Sequence, residues 1–386
     1  MTHAFIRVAL CATTLFAAPL NAQRVDTLSI HSAAFGTTRQ VWVHLPEGHQ
    51  YVGPKAPLPV LIVLDGQHDW FATPVRTIIQ GLSDTKELPW SIIVVVPHAD
   101  RVAESSFRRN SAEPLPLLRF LADELPAALV PYHASDLRIL VGHSFTASFA
   151  LHAMLERPDR FSAVMAHSPL DGIGATIPRT VALMRSRPDR AALVSVGGLE
   201  QWADTYHARE LLPLVRSAAL QPLPDNFVLH VAESARHNAV PIRATPELLA
   251  TYFRPFANRD TLLAVNEEYV LRTPPPPVAE MMAQIDASLA FRGTQIPWQL
   301  PDIAGLASRL ETGPHPAHAE AVYERGIALY PEYFQFHASL GELVAARDPR
   351  AARAHFAEAL RLVERHERGS EDYAEMRAAL LERLRE

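Results

Sequence analysis

The chain has 386 residues and a formal net charge of -6, with 48% hydrophobic and 20% charged residues. The length suits one large domain plus a smaller one, and the balance is that of an ordinary globular protein, not a disordered or fibrous one. The negative charge gives no electrostatic ground for binding nucleic acid or an anionic membrane. Of the 36 basic residues only Lys55 and Lys86 are lysines, which reads as genome bias and not as a binding surface.

The first 22 residues stand apart. Arg7 is their only charge, an apolar run follows from Val8 to Ala18, and small residues lead to Ala22. That is the layout of a secretory signal peptide cleaved after Ala22. The run is too short to span a bilayer, and a buried N-terminal helix is the alternative. Cys11, the only cysteine, lies inside this segment, behind Leu10 where a lipoprotein signal needs a small residue. The mature chain then has no disulfide or thiol chemistry. No later segment is apolar and long enough to span a membrane, so a periplasmic or secreted protein is expected.

Val25–Ile30 and Arg39–Leu45 alternate apolar and polar residues and read as an antiparallel pair of half-buried strands. Short, nearly continuous apolar runs follow at Val60–Leu64, Ile92–Val96, Leu137–Val141, Ala163–Ala166, Ala192–Val196 and Phe227–Val231. Such runs are strands buried on both faces. Helical patterns alternate with them, as at Leu115–Leu129, Phe145–Leu155 and Tyr206–Leu220. The alternation predicts an α/β fold, a mostly parallel sheet covered by helices on both faces, over residues 24–257. The chemistry of such sheets sits at the carboxyl ends of the strands.

Pro274 to Pro277 are four consecutive prolines, placing a stiff linker over 258–278. Beyond it, 279–386 reads as all-helical. Ala319, Tyr323 and Gly326 are followed 33 residues later by Ala352, Phe356 and Ala359, a small–aromatic–small spacing that resembles tetratricopeptide repeats. A plain helical hairpin is the alternative. Too few repeats fit for independent stability, so the extension is expected to dock on the rest of the chain, on a protein partner or on another copy.

Gly142-His143-Ser144-Phe145-Thr146 follows the strand Leu137–Val141 and opens a helix. Strand, tight turn with a serine, then helix is the setting of a nucleophile elbow, although an N-cap serine occupies the same place in many helices. Thr146 stands where the motif ordinarily has glycine, and Ala147 and Ser148 are small enough to relieve crowding. A neutral serine hydroxyl needs a base. The order serine, acid, histidine is met by Ser144, Glu200 after Gly197-Gly198-Leu199, and His237 in the loop after the last strand. Asp204 is the alternative acid, though an aspartate at a helix start is often a cap. The other histidines His98, His143, His167 and His230 read as loop or sheet-end residues without a fixed role. The oxyanion donors expected are the amides of Phe145 and of Gln67, the latter after Asp65-Gly66. The loop from His98 to Pro114 follows a strand and is expected at the site mouth. Its Arg101, Arg108 and Arg109 suit either an anionic substrate or surface ion pairs. No cofactor is required, and no spacing argues for a metal site.

Together these residues resemble the putative-esterase family of α/β-hydrolases, which includes esterase D, ferric-siderophore esterases, feruloyl esterases and, more distantly, mycolyltransferases. The resemblance runs from about Val25 to Phe256. It rests on Leu-Asp-Gly-Gln at 64–67, Asp100-Arg101, the elbow at 142–146, Ser168-Pro169 and the His237 loop. Residues 279–386 resemble the repeat extension that many bacterial members carry. Leu170, Asp171 and Gly172 stand where the family has aromatic residues, which makes Asp171 a candidate for substrate binding. The resemblance implies a carboxylic ester hydrolase acting on a small-molecule ester through an acyl-enzyme. An acyltransferase on the same scaffold is the first alternative. A non-catalytic binding protein working through its helical repeats is the second.

Overall fold

The chain is seen in a computed structural model that describes residues 24–107, 115–200, 207–259 and 271–385. The expected signal peptide at 1–22 lies outside the described residues. No helix among those residues is long and apolar enough to cross a membrane.

The centre is an eight-stranded sheet in the order β1-β2-β4-β3-β5-β6-β7-β8. β1 (Val25–Ser32) and β2 (Thr37–His44) form an antiparallel pair at one edge, and β2 also runs antiparallel to β4 (Ile92–Val95). From β4 onward every pairing is parallel, through β3 (Leu58–Val63), β5 (Ala134–His143), β6 (Ala163–His167), β7 (Ala191–Gly197) and β8 (Phe227–Ala232). The burial follows from this order. β1, at the edge, is exposed at alternate positions, whereas every residue of β3, β4, β6 and β7 is buried. Parallel strands need crossovers, and these are helices that bury both faces of the sheet. The helix Asp69–Asp84 packs on Val240–Ala257, and Phe145–Glu156 packs on Ile173–Ser186.

The stretch expected as one helix over 115–129 is two short α-helical pieces, Pro116–Arg119 and Leu125–Ala128, with a π-helical stretch Phe120–Glu124 between them. Pro126 has no N–H for the carbonyl four residues back, and the Leu125 N–H bonds instead to Phe120 O.

After the prolines the chain is helical in Val278–Ser288, Leu300–Thr312, Pro316–Leu329, Phe334–Val344, Pro349–His366 and Tyr373–Arg385, interrupted by a two-residue hairpin at Ala290–Phe291 and Thr294–Gln295. Consecutive helices pack through buried Ala319, Tyr323, Ala352, Phe356 and Ala359. These helices also pack on the sheet domain. Gly53 N–H donates to Leu329 O at 2.9 Å, and Trp90 N–H donates to Gln299 Oε1 at 2.8 Å. Arg259 lies over the Phe256 ring and donates through Nε to Asp302 Oδ2 at 2.9 Å, with both side chains under a tenth exposed. Tyr51 meets Tyr333 edge to face and bonds through its hydroxyl to Glu367.

Candidate active site

Ser144 stands between the end of β5 and the helix Phe145–Glu156, with φ 61° and ψ -116°. A non-glycine residue held there stores about 1–3 kcal/mol of backbone strain, a feature that clusters at functional turns. The turn is tight because residues 142 and 146 nearly touch. A Cβ on Gly142 would sit 2.4 Å from Thr146 O. Only glycine fits there.

Two loops from neighbouring strands meet beside this turn. Glu200 follows β7 and is fully buried. His237 opens a short turn after β8. His237 Nδ1 lies 3.1 Å from Glu200 Oε2, while Oε1 accepts from Ser168 Oγ at 2.6 Å and from Gly197 N–H at 2.7 Å. Burial by itself would push the Glu200 carboxyl up. The hydrogen bonds from His237, Ser168 and Gly197 outweigh it and hold the carboxyl below its ordinary range. A buried carboxylate with three donors is therefore ionised at neutral pH. Ser168 sits at φ 48°. Its part in holding Glu200 was not legible in the sequence, because the Ser168-Pro169 pair carries no sign of which distant residue it faces.

The His143 ring stacks obliquely on His237 at 4.4 Å between centroids, and its Nε2–H donates to His237 O at 3.1 Å. Burial, then the nearby His237 and His167, push its pKa down to about 2. A neutral His143 thus anchors the backbone of the histidine loop. His167 lies wholly buried between Ser195 Oγ at 2.8 Å and Thr245 Oγ1 at 3.2 Å, pushed down to about 3 by burial. His98 Nδ1 lies 3.0 Å from Glu104 Oε2. Three histidines read from sequence as having no fixed role therefore have fixed partners. Buried polar rings are seldom left unpaired.

On the other side of the turn, Asp65 leaves β3 at φ 59°. A Cβ on Gly66 would meet Val95 Cγ1 at 2.8 Å and Pro97 N at 2.9 Å, so the loop passes as close as glycine permits. Gln67 Oε1 accepts from His98 N–H at 2.9 Å. No hydrogen bond of the Gln67 or Phe145 backbone N–H is found among the described residues.

Of the two readings open for Arg101, it makes an ion pair, although with a buried carboxylate and not at the surface. Its Nε and Nη2 donate to Asp65 Oδ1 and Oδ2 at 2.6 and 3.0 Å, and Nη2 also donates to His143 O at 2.8 Å. A guanidinium committed to a buried carboxylate and a carbonyl has little left for a substrate anion. Asp171 lines a cleft of about 540 Å³ together with Phe145, Leu170, Ile173 and Glu210. The amides of Leu170 and Asp171 both donate to Ser148 Oγ at 2.8 Å. Ser148 thus ties down the cleft wall at Leu170 and Asp171. The alternative acid Asp204, and Arg108 and Arg109, lie outside the described residues.

Residues 32–176 match the model of a family described as Putative esterase. A curated relative, the Iron(III) enterobactin esterase of Yersinia enterocolitica, is 29% identical over 83 residues, which are 22% of this chain and 23% of that protein. The chain thus spans about a quarter of that relative's length. Among solved structures, an IroE-like serine hydrolase from Shewanella oneidensis superposes with a TM-score of 0.60 at 16% identity, covering 79% of this chain and 99% of its own. An uncharacterised protein from Capnocytophaga ochracea DSM 7271 gives 0.54 at 14% identity, covering 87% and 94%. At these identities the likeness is one of fold. The sheet order is that of an α/β-hydrolase fold, and over residues 32–176 the chain is similar to the Putative esterase family.

Proposed function

We propose that this chain is a secreted serine hydrolase that cleaves carboxylic esters through an acyl-enzyme. The observation that carries the reading is the hydrogen bond between His237 and the buried carboxylate of Glu200, on loops that meet beside the strained Ser144 turn. Glu200 keeps the proton of neutral His237 on Nδ1, so Nε2 is the unprotonated nitrogen that accepts the Ser144 proton. Ser144 attacks the ester carbonyl, and the oxyanion is held by the Phe145 and Gln67 amides. The imidazolium, stabilised by Glu200, returns its proton to the leaving alcohol. Water activated by His237 then releases the acid.

The elbow geometry and the family match over 32–176 support ester hydrolysis in general. The same proposal takes 1–22 as a cleaved leader, 24–257 as the catalytic domain, 258–278 as the linker and 279–386 as a tetratricopeptide-like extension. A mature N-terminus at Gln23 would support the leader. The curated relative is named for iron(III) enterobactin, so that compound belongs in the substrate panel beside aryl esters of varied acyl length. Ser144→Ala is expected to lower kcat on the best of these by about a thousandfold or more and to abolish labelling by a fluorophosphonate. A folded variant that keeps most of its activity overturns the reading.

A further inference from the structure

Resting on the serine-hydrolase reading above, we propose that Thr146 is a positioning residue, whose hydroxyl couples the nucleophile elbow to the opposite oxyanion loop through Asp65. Thr146 is fully buried, and its Oγ1 has three neighbours at hydrogen-bond distance: His143 N at 2.9 Å, Asp65 Oδ2 at 2.6 Å and His143 O at 2.9 Å. A hydroxyl has one proton to give. The His143 N–H can only donate to it, and the carboxylate is the nearer and stronger acceptor, so the proton goes to Asp65. Arg101 grips both oxygens of the same carboxylate and donates to the His143 carbonyl. Both main-chain polar groups of the residue before Ser144 are therefore tied to Asp65, one through Thr146 and one through Arg101.

Asp65 is also where the opposite loop begins. Its backbone is held at φ 59°, two residues before Gln67. One buried carboxylate thus fixes the spacing between the two amides assigned to the oxyanion. Glycine at position 146 has no side chain with which to make this link. The motif's first glycine, Gly142, is kept and lies against the Thr146 carbonyl. An oxyanion hole stabilises the transition state only when its donors are already placed, and a misplacement of about 1 Å costs on the order of a hundredfold in rate. Thr146 acts on kcat and not on substrate affinity, because the donors face charge that develops only in the transition state.

The test is steady-state kinetics on one aryl ester with Thr146→Val, which keeps the shape and removes the hydroxyl, and Thr146→Ser, which restores it. Expected are a fall in kcat of about 10- to 100-fold for valine with KM within about threefold, and recovery to within about threefold of the parent for serine. Valine with kcat within about threefold of the parent, or with KM raised while kcat is kept, overturns the proposal. So does a serine variant no better than valine. If the valine variant does not fold, Arg101→Lys gives the same reading on a partly exposed side chain, since an ammonium cannot span both Asp65 oxygens and the His143 carbonyl. Its kcat is expected to fall by the same order with KM kept, and kcat within about threefold overturns the proposal. Activity that survives Ser144→Ala would instead sink the esterase reading. Loss in Ser144→Ala together with an unaffected Thr146→Val refutes only the role of Thr146.

Discussion

Replacing Glu200 with glutamine probes the acid of the proposed triad with almost no change of shape. The carboxylate takes two donors on Oε1, from Ser168 and Gly197, and one on Oε2, from His237. An amide has one acceptor end and one donor end. With its oxygen toward Ser168 and Gly197, its NH₂ faces His237 Nδ1 and drives the ring proton onto Nε2, where the proton of Ser144 has to go. Turned the other way, its NH₂ meets the Gly197 N–H, donor against donor, so the first arrangement is preferred. The variant therefore keeps its packing but holds the wrong tautomer and no longer stabilises the imidazolium. Loss of that orientation lowers kcat by about 10³–10⁴-fold, or about 4–5.5 kcal/mol of transition-state stabilisation. KM is expected within about threefold, because the acid touches no substrate. The assay is kcat and KM on an aryl ester at pH 7.5 for Glu200→Gln and, in parallel, Asp204→Asn, with circular dichroism to establish that both fold. A folded Glu200→Gln enzyme within tenfold of the parent refutes the reasoning, and a large loss in Asp204→Asn alone moves the role to that residue.

Ser168→Ala removes one of the three donors to Glu200 and is expected to lower kcat by about tenfold, with an acid limb of the pH–rate profile displaced upward; an unchanged profile counts against its role. The buried His143 and His167 have pKa values near 2 and 3, below the ordinary 6.5, so unfolding takes up protons below pH 6.5. Their stabilisation is complete above that pH and falls as the pH drops toward the folded values. It declines by about 2 kcal/mol each, or about 4 kcal/mol together, at pH 5. Urea unfolding at pH 7.5 and 5.0 measures this, and a difference under about 1 kcal/mol refutes it. Asp302→Ala takes the carboxylate from buried Arg259, which keeps only the carbonyls of Lys86 and Phe256, and is expected to cost about 3 kcal/mol in urea unfolding, with little effect on kcat. No loss would mean that the helical extension gains nothing from this contact.

The strand runs and the helices between them were legible because a strand buried on both faces must be continuously apolar, and a crossover between parallel strands must bury one helical stripe. For the same reason Gly142-His143-Ser144 could be read as a turn between two such elements, and Glu200 and His237 as loop residues after successive strands. What the sequence by itself determined was which residues lie at the carboxyl edge of the sheet. Which of them meet was decided only by the tertiary structure. Ser168, Gly197 and His237 converge on Glu200 because β6, β7 and β8 lie side by side, an order that no local pattern encodes. Arg101 has the same composition cue whether it faces a substrate or a buried carboxylate, and the pairing of β3 with both β4 and β5 settles that it faces Asp65. Thr146 looked like a crowded substitute for glycine from its size alone. Its hydroxyl acquires a partner only when the loop after β3 is brought against the elbow after β5, because a hydrogen bond depends on geometry between distant segments and hydrophobic periodicity reports only on near neighbours.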